Sequence, residues 1–142
     1  MKKALFANPQ DAESAFYDAL TKSDLDAMMA VWADDDDIYC VHPNGARLSG
    51  VERVRESWRQ IFDSGQTLRF QLREQQHVQG MMLSVHSLHE NFAIEGEGAR
   101  QPVVTTNIYM RTASGWRMIA HHASLASRPA RPPASDPPKI LH

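Results

Sequence analysis

The sequence has one cysteine, little net charge and only a short apolar stretch at its start, and each shortage excludes a class of protein. The lone Cys40 cannot form a disulfide within the chain, which is typical of a reducing compartment. Fifteen basic residues against seventeen acidic ones leave a net charge of −2, so nothing favours nucleic acid or an anionic membrane as partner. Asn8-Pro9 ends the N-terminal apolar stretch too early for a signal peptide. We therefore expect a cytoplasmic protein.

The composition is that of one globular domain. The chain has 142 residues, of which 42% are hydrophobic and 23% charged. Five of its eight prolines fall within residues 126–142, where they exclude a helix or a central strand. We expect a single domain over residues 1–125 and a Pro-rich C-terminal tail over 126–142, which acts as a mobile arm or as a strap over a neighbouring subunit.

Apolar residues at helical spacing predict three helices before residue 63. Asn8-Pro9 begins the first as N-cap and first helical residue. Ser23 is expected to cap the second, and the third follows Ser49-Gly50 and ends near Phe62.

Period-two patterns predict a sheet. A short strand over 38–42 stops at the turn signal Pro43-Asn44-Gly45. Four longer strands follow as a meander, at residues 68–77, 81–94, 102–111 and 116–125. The fold class is therefore α+β, with three N-terminal helices packed on one face of a strongly curved, mostly antiparallel sheet.

Strand alternation also predicts which side chains share a face. Asn107 and Tyr109 share one face of their strand, and Met118 and His122 share one face of the last strand. If both faces are concave, the cavity holds polar groups among apolar walls, which suits a small organic ligand. Alternatively, these polar groups satisfy one another in a filled core. For the strand 81–94 the register is open: either His86 with Glu90 or His89 with Asn91 faces inward.

His42 is the candidate general base. It ends the first strand over a cavity that Trp32 and Trp58 would close, and an imidazole can exchange a proton near neutral pH. The alternative is a hydrogen-bonded residue at the rim. Cys40 shares the face of His42, but nothing in the sequence activates its thiol, so inert packing is expected rather than a nucleophile.

No metal or other cofactor is expected. The four acidic residues Asp34 to Asp37 are predicted to form a solvent-exposed turn, because no calcium-loop pattern follows them. His121 and His122 are adjacent in a strand, so their rings point to opposite faces and cannot chelate together. A site would need His42, His122 and a third ligand to converge from separate strands.

Four segments together carry a family resemblance: Leu20 to Trp32, His42-Pro43-Asn44-Gly45, Leu48-Ser49-Gly50 and Gly115-Trp116 to Ser124. They resemble the nuclear transport factor 2-like superfamily, and within it SnoaL-like bacterial proteins, ketosteroid isomerase and the calcium/calmodulin-dependent kinase II association domain. The resemblance implies a cone-shaped α+β barrel that encloses a pocket, and a homodimer formed by the outer face of the sheet.

The ketosteroid isomerase pattern implies site residues. Its catalytic base falls on His42, its hydrogen-bond-donating tyrosine on Phe16 and its protonated aspartate on Asn107, so Asn107 is the candidate donor. Phe16 cannot donate a hydrogen bond, which argues against that particular reaction. The ligand-binding residues expected around this pair are Phe16, Trp32, Cys40, Trp58, Tyr109, Met118 and His122.

Two functions remain open. The first is a homodimeric SnoaL-like protein that binds a small organic ligand, with His42-based proton-transfer, isomerase or hydrolase chemistry. The second is a non-catalytic association module that builds a dimer or larger ring, with the Pro-rich tail as its interaction arm.

Overall fold

The computed structural model describes residues 5–99 and 102–126 of the chain. Within them, three helices precede the long strands of the sheet. The elements are α1 (Pro9–Lys22), α2 (Leu25–Val31), β1 (Tyr39–Val41), β2 (Leu48–Ser49), α3 (Val51–Asp63), β3 (Leu68–Gln79), β4 (Leu83–Ile94), β5 (Gly98–Ala99), β6 (Val103–Thr112) and β7 (Gly115–Leu125).

Side-chain caps define the two N-terminal helices. The Asn8 side chain accepts a hydrogen bond of 2.8 Å from the backbone N–H of Asp11, as its predicted role as N-cap requires. The cap of α2 is Asp24, whose carboxylate accepts from the N–H of Ala27 at 3.0 Å. The assignment of that cap to Ser23 is therefore wrong, because Ser23 ends α1 in the left-handed conformation (φ 52°).

The strands form one mixed sheet in the order β2-β1-β7-β6-β4-β3, and β5 pairs with β4. β1 runs parallel to β7, and the other pairs are antiparallel. The α+β class predicted from the sequence is confirmed, as is the curved sheet with its helices. The buried core lies between the helices and the inner face of the sheet.

Two β-bulges change which side chains face that core. In β7, Met118 pairs with Tyr109 and Ala120 with Ile108, so Ile119 is an extra residue. Beyond Ile119 the alternation of inward and outward side chains is reversed, so His121 rather than His122 points inward. In β3, the register shifts between Arg73 and Gln76.

The C-terminal boundary is only partly visible. The backbone N–H of Ala126 donates to the carbonyl of Pro102 at 2.9 Å, and the rest of the predicted tail lies outside the described residues. Among the helices of the described part, none is long and apolar enough to cross a membrane.

Candidate functional site

A cavity of about 160 Å³ lies between α1, α3 and the inner face of the sheet. Three of the side chains that line it carry acid–base chemistry: His42, Glu90 and His121. Most of the remaining wall is apolar, formed by Leu20, Pro43, Trp58, Ile61, Leu68, Phe70, Phe92, Val103 and Ala123. The site thus has the composition of a small-molecule pocket, with few polar groups in an apolar wall.

A tight turn places His42 at the cavity. The backbone N–H of Gly45 donates to the carbonyl of His42 at 2.8 Å, and Asn44 has φ 63°. Pro43 fits the second position of a type II turn and Asn44 tolerates the left-handed third position. The local sequence therefore holds His42 at the point where β1 ends.

Hydrogen bonding fixes the tautomer of the His42 ring. The hydroxyl of Ser57 donates to the carbonyl of Val54 at 2.8 Å, so its oxygen is free to accept from Nε2–H of His42 at 3.0 Å. Burial lowers the pKa of His42, which keeps the ring neutral with a lone pair on Nδ1. The ring packs edge-on against Trp58, with centroids 4.7 Å apart.

Cys40 is an inert neighbour. Its sulfur lies 3.5 Å from Nε2 of His42 and is fully buried. Burial, and secondarily the charge of Glu90, raises the pKa of the Cys40 thiol. The thiol is therefore protonated at neutral pH and is not a nucleophile.

The register of β4 settles the question that the sequence left open. Glu90 and His86 are buried on the inner face, whereas His89 and Asn91 alternate with them and lie on the other face. Glu90 is thereby the one carboxyl group among the cavity-lining side chains of the described residues.

A buried hydrogen-bond chain joins Glu90 to His121. The hydroxyl of Tyr17 donates to Glu90 Oε2 at 2.5 Å and accepts from Asn107 Nδ2 at 3.0 Å. Oδ1 of Asn107 then lies 2.6 Å from Nδ1 of His121. Since a carbonyl oxygen only accepts, His121 carries its proton on Nδ1 and keeps a lone pair on Nε2.

Burial shifts the pKa values of Glu90 and His121, at the two ends of this hydrogen-bond chain, in opposite directions. It raises the pKa of Glu90 to about 7, and the hydrogen bond from Tyr17 offsets only part of that rise. It lowers the pKa of His121 to about 3, with smaller contributions from His42 and His122. At neutral pH the cavity thus holds a carboxyl group that is partly protonated beside an uncharged imidazole.

The structure brings together only some of the predicted site residues. His42 and Trp58 line the cavity. Asn107 is fully buried behind the wall and contacts it through His121. The other expected ligand-binding residues on the inner face are packed in the core cluster instead: Phe16, Trp32, Cys40, Tyr109 and Met118.

The placement of His122 in the cavity is wrong. Its side chain is exposed, because the extra residue Ile119 reverses the alternation of β7. Strict alternation could not reveal this, since the sequence around Ile119 carries no glycine or other bulge signal. The neighbouring His121 takes the inward position.

Tyr17 is a second site residue that the sequence did not predict. The ketosteroid isomerase pattern placed the tyrosine on Phe16, but it is the hydroxyl of Tyr17 that contacts Asn107. Tyr17 lies four residues after Glu13 on the buried side of α1. Two polar residues on an otherwise apolar stripe are a signal that could have found it.

The comparisons with known proteins agree with this fold. Residues 10–128 match the model of the SnoaL-like domain, and the chain belongs to that family. Over 110 residues it is 24% identical to the F-box protein SKIP8 of Arabidopsis thaliana, a match that covers 78% of this chain and 46% of that protein. The chain thus spans about half the length of that relative.

Solved structures repeat the resemblance. A Thiobacillus denitrificans protein proposed to be a calcium/calmodulin-dependent protein kinase type II association domain is 38% identical with a TM-score of 0.83, over 87% of this chain and 99% of that one. A Streptomyces avermitilis protein of the NTF2-like family, proposed to be a dehydratase, is 29% identical with a TM-score of 0.75, over 81% and 91%. A Parabacteroides distasonis protein proposed to be a ketosteroid isomerase shares the fold at 17% identity and a TM-score of 0.69, over 89% and 98%.

Proposed function

We propose that the protein binds a small, mostly apolar organic molecule in the cavity and exchanges a proton with it through Glu90. The observation that carries the proposal is that Glu90 and His121 both line one mostly apolar cavity. A general acid–base group works best when its pKa lies near the operating pH, and the pKa of Glu90 is raised to about 7.

The volume of the cavity limits the ligand. Apolar cavities of about 150 Å³ accept a molecule the size of benzene, and drug-sized ligands need at least about 300 Å³. The 160 Å³ observed here therefore suits a single ring or a short branched chain.

The roles of the polar groups follow from their hydrogen bonds. Nε2 of His121 is an acceptor for a ligand hydroxyl or N–H, because its Nδ1 proton is directed to Asn107. The sequence predicted His42 as the candidate base; burial keeps its ring neutral, and in this proposal it is the second candidate after Glu90. The proton of the Tyr17 hydroxyl goes to Glu90, so the tyrosine does not donate to an oxyanion as the isomerase pattern requires.

The reaction class is thus proton transfer, in an isomerisation, a hydrolysis or an elimination of water. Exchange of the α-protons of cyclohexanone for deuterium, followed by NMR in D2O, tests it with a ring of suitable size. We expect the wild type to accelerate exchange and Glu90→Gln to return it to the buffer rate. Glu52→Gln, an exposed glutamate of α3, is the matched control and is expected to keep the activity. Equal rates in the wild type and Glu90→Gln would refute the role of Glu90.

Ligand binding is tested separately from chemistry. Ile61 lines the cavity and is half-buried, so Ile61→Trp is expected to fill the cavity and weaken the binding of phenol at least about tenfold. The control Gln60→Trp adds the same side chain at the adjacent exposed position. Phenol binding that survives Ile61→Trp unchanged would place the ligand elsewhere.

A second function, self-association, is supported by a different feature. Apolar side chains stand exposed around the turn between β3 and β4, with Met81 83% and Val78 74% exposed, together with Met82, Leu83 and Val85. The Thiobacillus relative is proposed to be an association domain. We propose that this chain forms a homodimer or a larger ring through that surface.

Native mass spectrometry of the wild type and of a Met81→Lys/Met82→Lys variant tests the association. We expect an oligomer in the wild type and smaller species in the variant, with Glu90→Gln assembling like the wild type. A monomeric wild type would contradict the association and leave the cavity proposal standing.

We also propose that the protein is cytoplasmic, because a lone cysteine is typical of a reducing compartment.

A further inference from the structure

A second polar cluster lies under α1, outside the cavity. It consists of Glu13, His77 and His86, whose oxygen and nitrogen atoms all lie within 4.8 Å of one another. Nδ1 of His86 is 2.9 Å from Oε2 of Glu13, and Nε2 of His77 is 3.7 Å from Oε1. His86 is fully buried and Glu13 nearly so.

The β3 bulge puts His77 into this cluster. Leu72 pairs with Glu90 on the inner face, and after the register shift it is His77 that pairs with the inward-facing His86. Glu74, within the bulge, has φ 51°, a conformation that costs a non-glycine residue free energy. Bulges re-aim side chains and are frequent beside functional sites. Here the bulge brings a second imidazole to a buried carboxylate.

The donor set is one that metals use. Two imidazole nitrogens and one carboxylate oxygen bind Zn²⁺ in catalytic sites and Fe²⁺ in oxygenases. Metal–ligand bonds of about 2.1 Å place neighbouring donor atoms about 3.0 to 3.4 Å apart. Nδ1 of His86 is 2.9 Å from Oε2 of Glu13, just below that range, and Nε2 of His77 is 3.7 Å from the other oxygen, Oε1, just above it.

A hydrogen bond supports His86 as a ligand. Its other ring nitrogen, Nε2, lies 2.9 Å from the hydroxyl of Ser84. Ligating histidines are ordinarily held in this way by a partner on the nitrogen that does not bind the metal. With Nδ1 on the metal, Nε2–H would donate to Ser84.

Tyr109 gives an independent indication. Its hydroxyl is fully buried and has no hydrogen-bond partner among the described residues. Its ring packs on His86 with centroids 4.8 Å apart. A buried hydroxyl without a partner is unfavourable, and a water molecule bound to a metal would give it one.

From these observations we propose that Glu13, His77 and His86 form a binding site for one divalent transition metal of the zinc type. His77 must turn to complete it. The two rings are stacked, with centroids 3.8 Å apart and planes 17° apart, and a metal lies in the plane of each imidazole that binds it. The side chain of His77 is 28% exposed on the edge strand, so it has room to rotate and gives the metal a path from solvent.

Titration of tag-free, metal-stripped protein with Zn²⁺ and with Co²⁺ tests the site. Calorimetry is expected to show one Zn²⁺ per chain, and Co²⁺ to give visible absorption bands whose intensity reports four or five ligands. His77→Gln and Glu13→Gln are each expected to weaken binding at least about thirtyfold. His122→Gln removes an exposed histidine and is expected to change the affinity less than about twofold.

The variants separate the possible outcomes. His77 is at the surface, so His77→Gln is expected to fold even if Glu13→Gln does not, and circular dichroism checks both. The absence of stoichiometric binding by the wild type would overturn the proposal. So would binding that His77→Gln leaves unchanged while His122→Gln abolishes it, because the metal would then sit on surface histidines.

Discussion

Nδ1 of His121 and Oδ1 of Asn107 lie 2.6 Å apart in the core, on directly paired positions of β7 and β6. This contact fixes the tautomer of His121 and turns its second nitrogen away from Asn107. The Asn107 amide also donates to Tyr17, which in turn donates to Glu90. One amide therefore organises both chemical groups of the proposed site.

The first prediction concerns Asn107 itself. Asn107→Leu keeps the approximate volume but removes the acceptor of His121 Nδ1–H and the donor to Tyr17, whose hydroxyl keeps its bond to Glu90. The orphaned Nδ1–H costs about 1 to 3 kcal/mol and the lost bond to Tyr17 about 1 kcal/mol, so we expect the free energy of unfolding to fall by about 2 to 4 kcal/mol. Urea denaturation measures it. Thr106→Val, on the opposite face of the same strand, is expected to change it by less than about 0.5 kcal/mol.

A second prediction follows from His121. Its pKa falls from 6.5 to about 3 on folding, so between these pH values the unfolded chain binds more protons and stability rises with pH. The stability difference between the wild type and His121→Gln is expected to grow by about 2 kcal/mol from pH 4.5 to 6.5. A constant difference would show that His121 is accessible to protons in the folded state.

Glu90 is expected to change the pH dependence of stability in the opposite direction. Its pKa rises from 4.5 to about 7 on folding, so between these values the folded chain binds more protons and stability falls as the pH rises. Relative to Glu90→Gln, the wild type is expected to lose about 3 kcal/mol from pH 4.5 to 7.5. Paired denaturation curves at several pH values measure this. A difference that stays flat with pH would mean that Glu90 titrates normally.

The buried thiol gives a fourth prediction. Because burial raises the pKa of Cys40 and closes access to it, a disulfide reagent such as DTNB is expected to react at pH 8 on the order of 100-fold more slowly in the folded than in the unfolded protein. Trp58→Ala, which opens the cavity wall, is a useful comparison. Fast reaction of the folded wild type would contradict the inert packing expected of Cys40.

The elements of the fold could be predicted because their signals are local. Asn8-Pro9 begins α1 and the turn after His42 ends β1, as the sequence indicated. The inner face of β6, with Asn107 and Tyr109, also follows from simple alternation. Each of these depends on residues that are close together in the chain.

The site residues were harder to predict because they depend on register and on bulges. Because Ile119 is an extra residue in β7, His121 takes the inward position that simple alternation gives to His122. The inward direction of Glu90 depends on how β4 pairs with β3 and β6, which alternation alone leaves open. The Glu13–His77–His86 cluster joins a helix and two strands, so no spacing in the sequence could reveal it.

The most direct test of the account is the titration of the Glu90 side chain by ¹³C NMR, with and without phenol. We expect an apparent pKa near 7 in the free protein, because the carboxyl group is buried at the cavity, and a further shift when phenol binds beside it. A pKa below about 5 that phenol does not move would contradict the proposed role of Glu90.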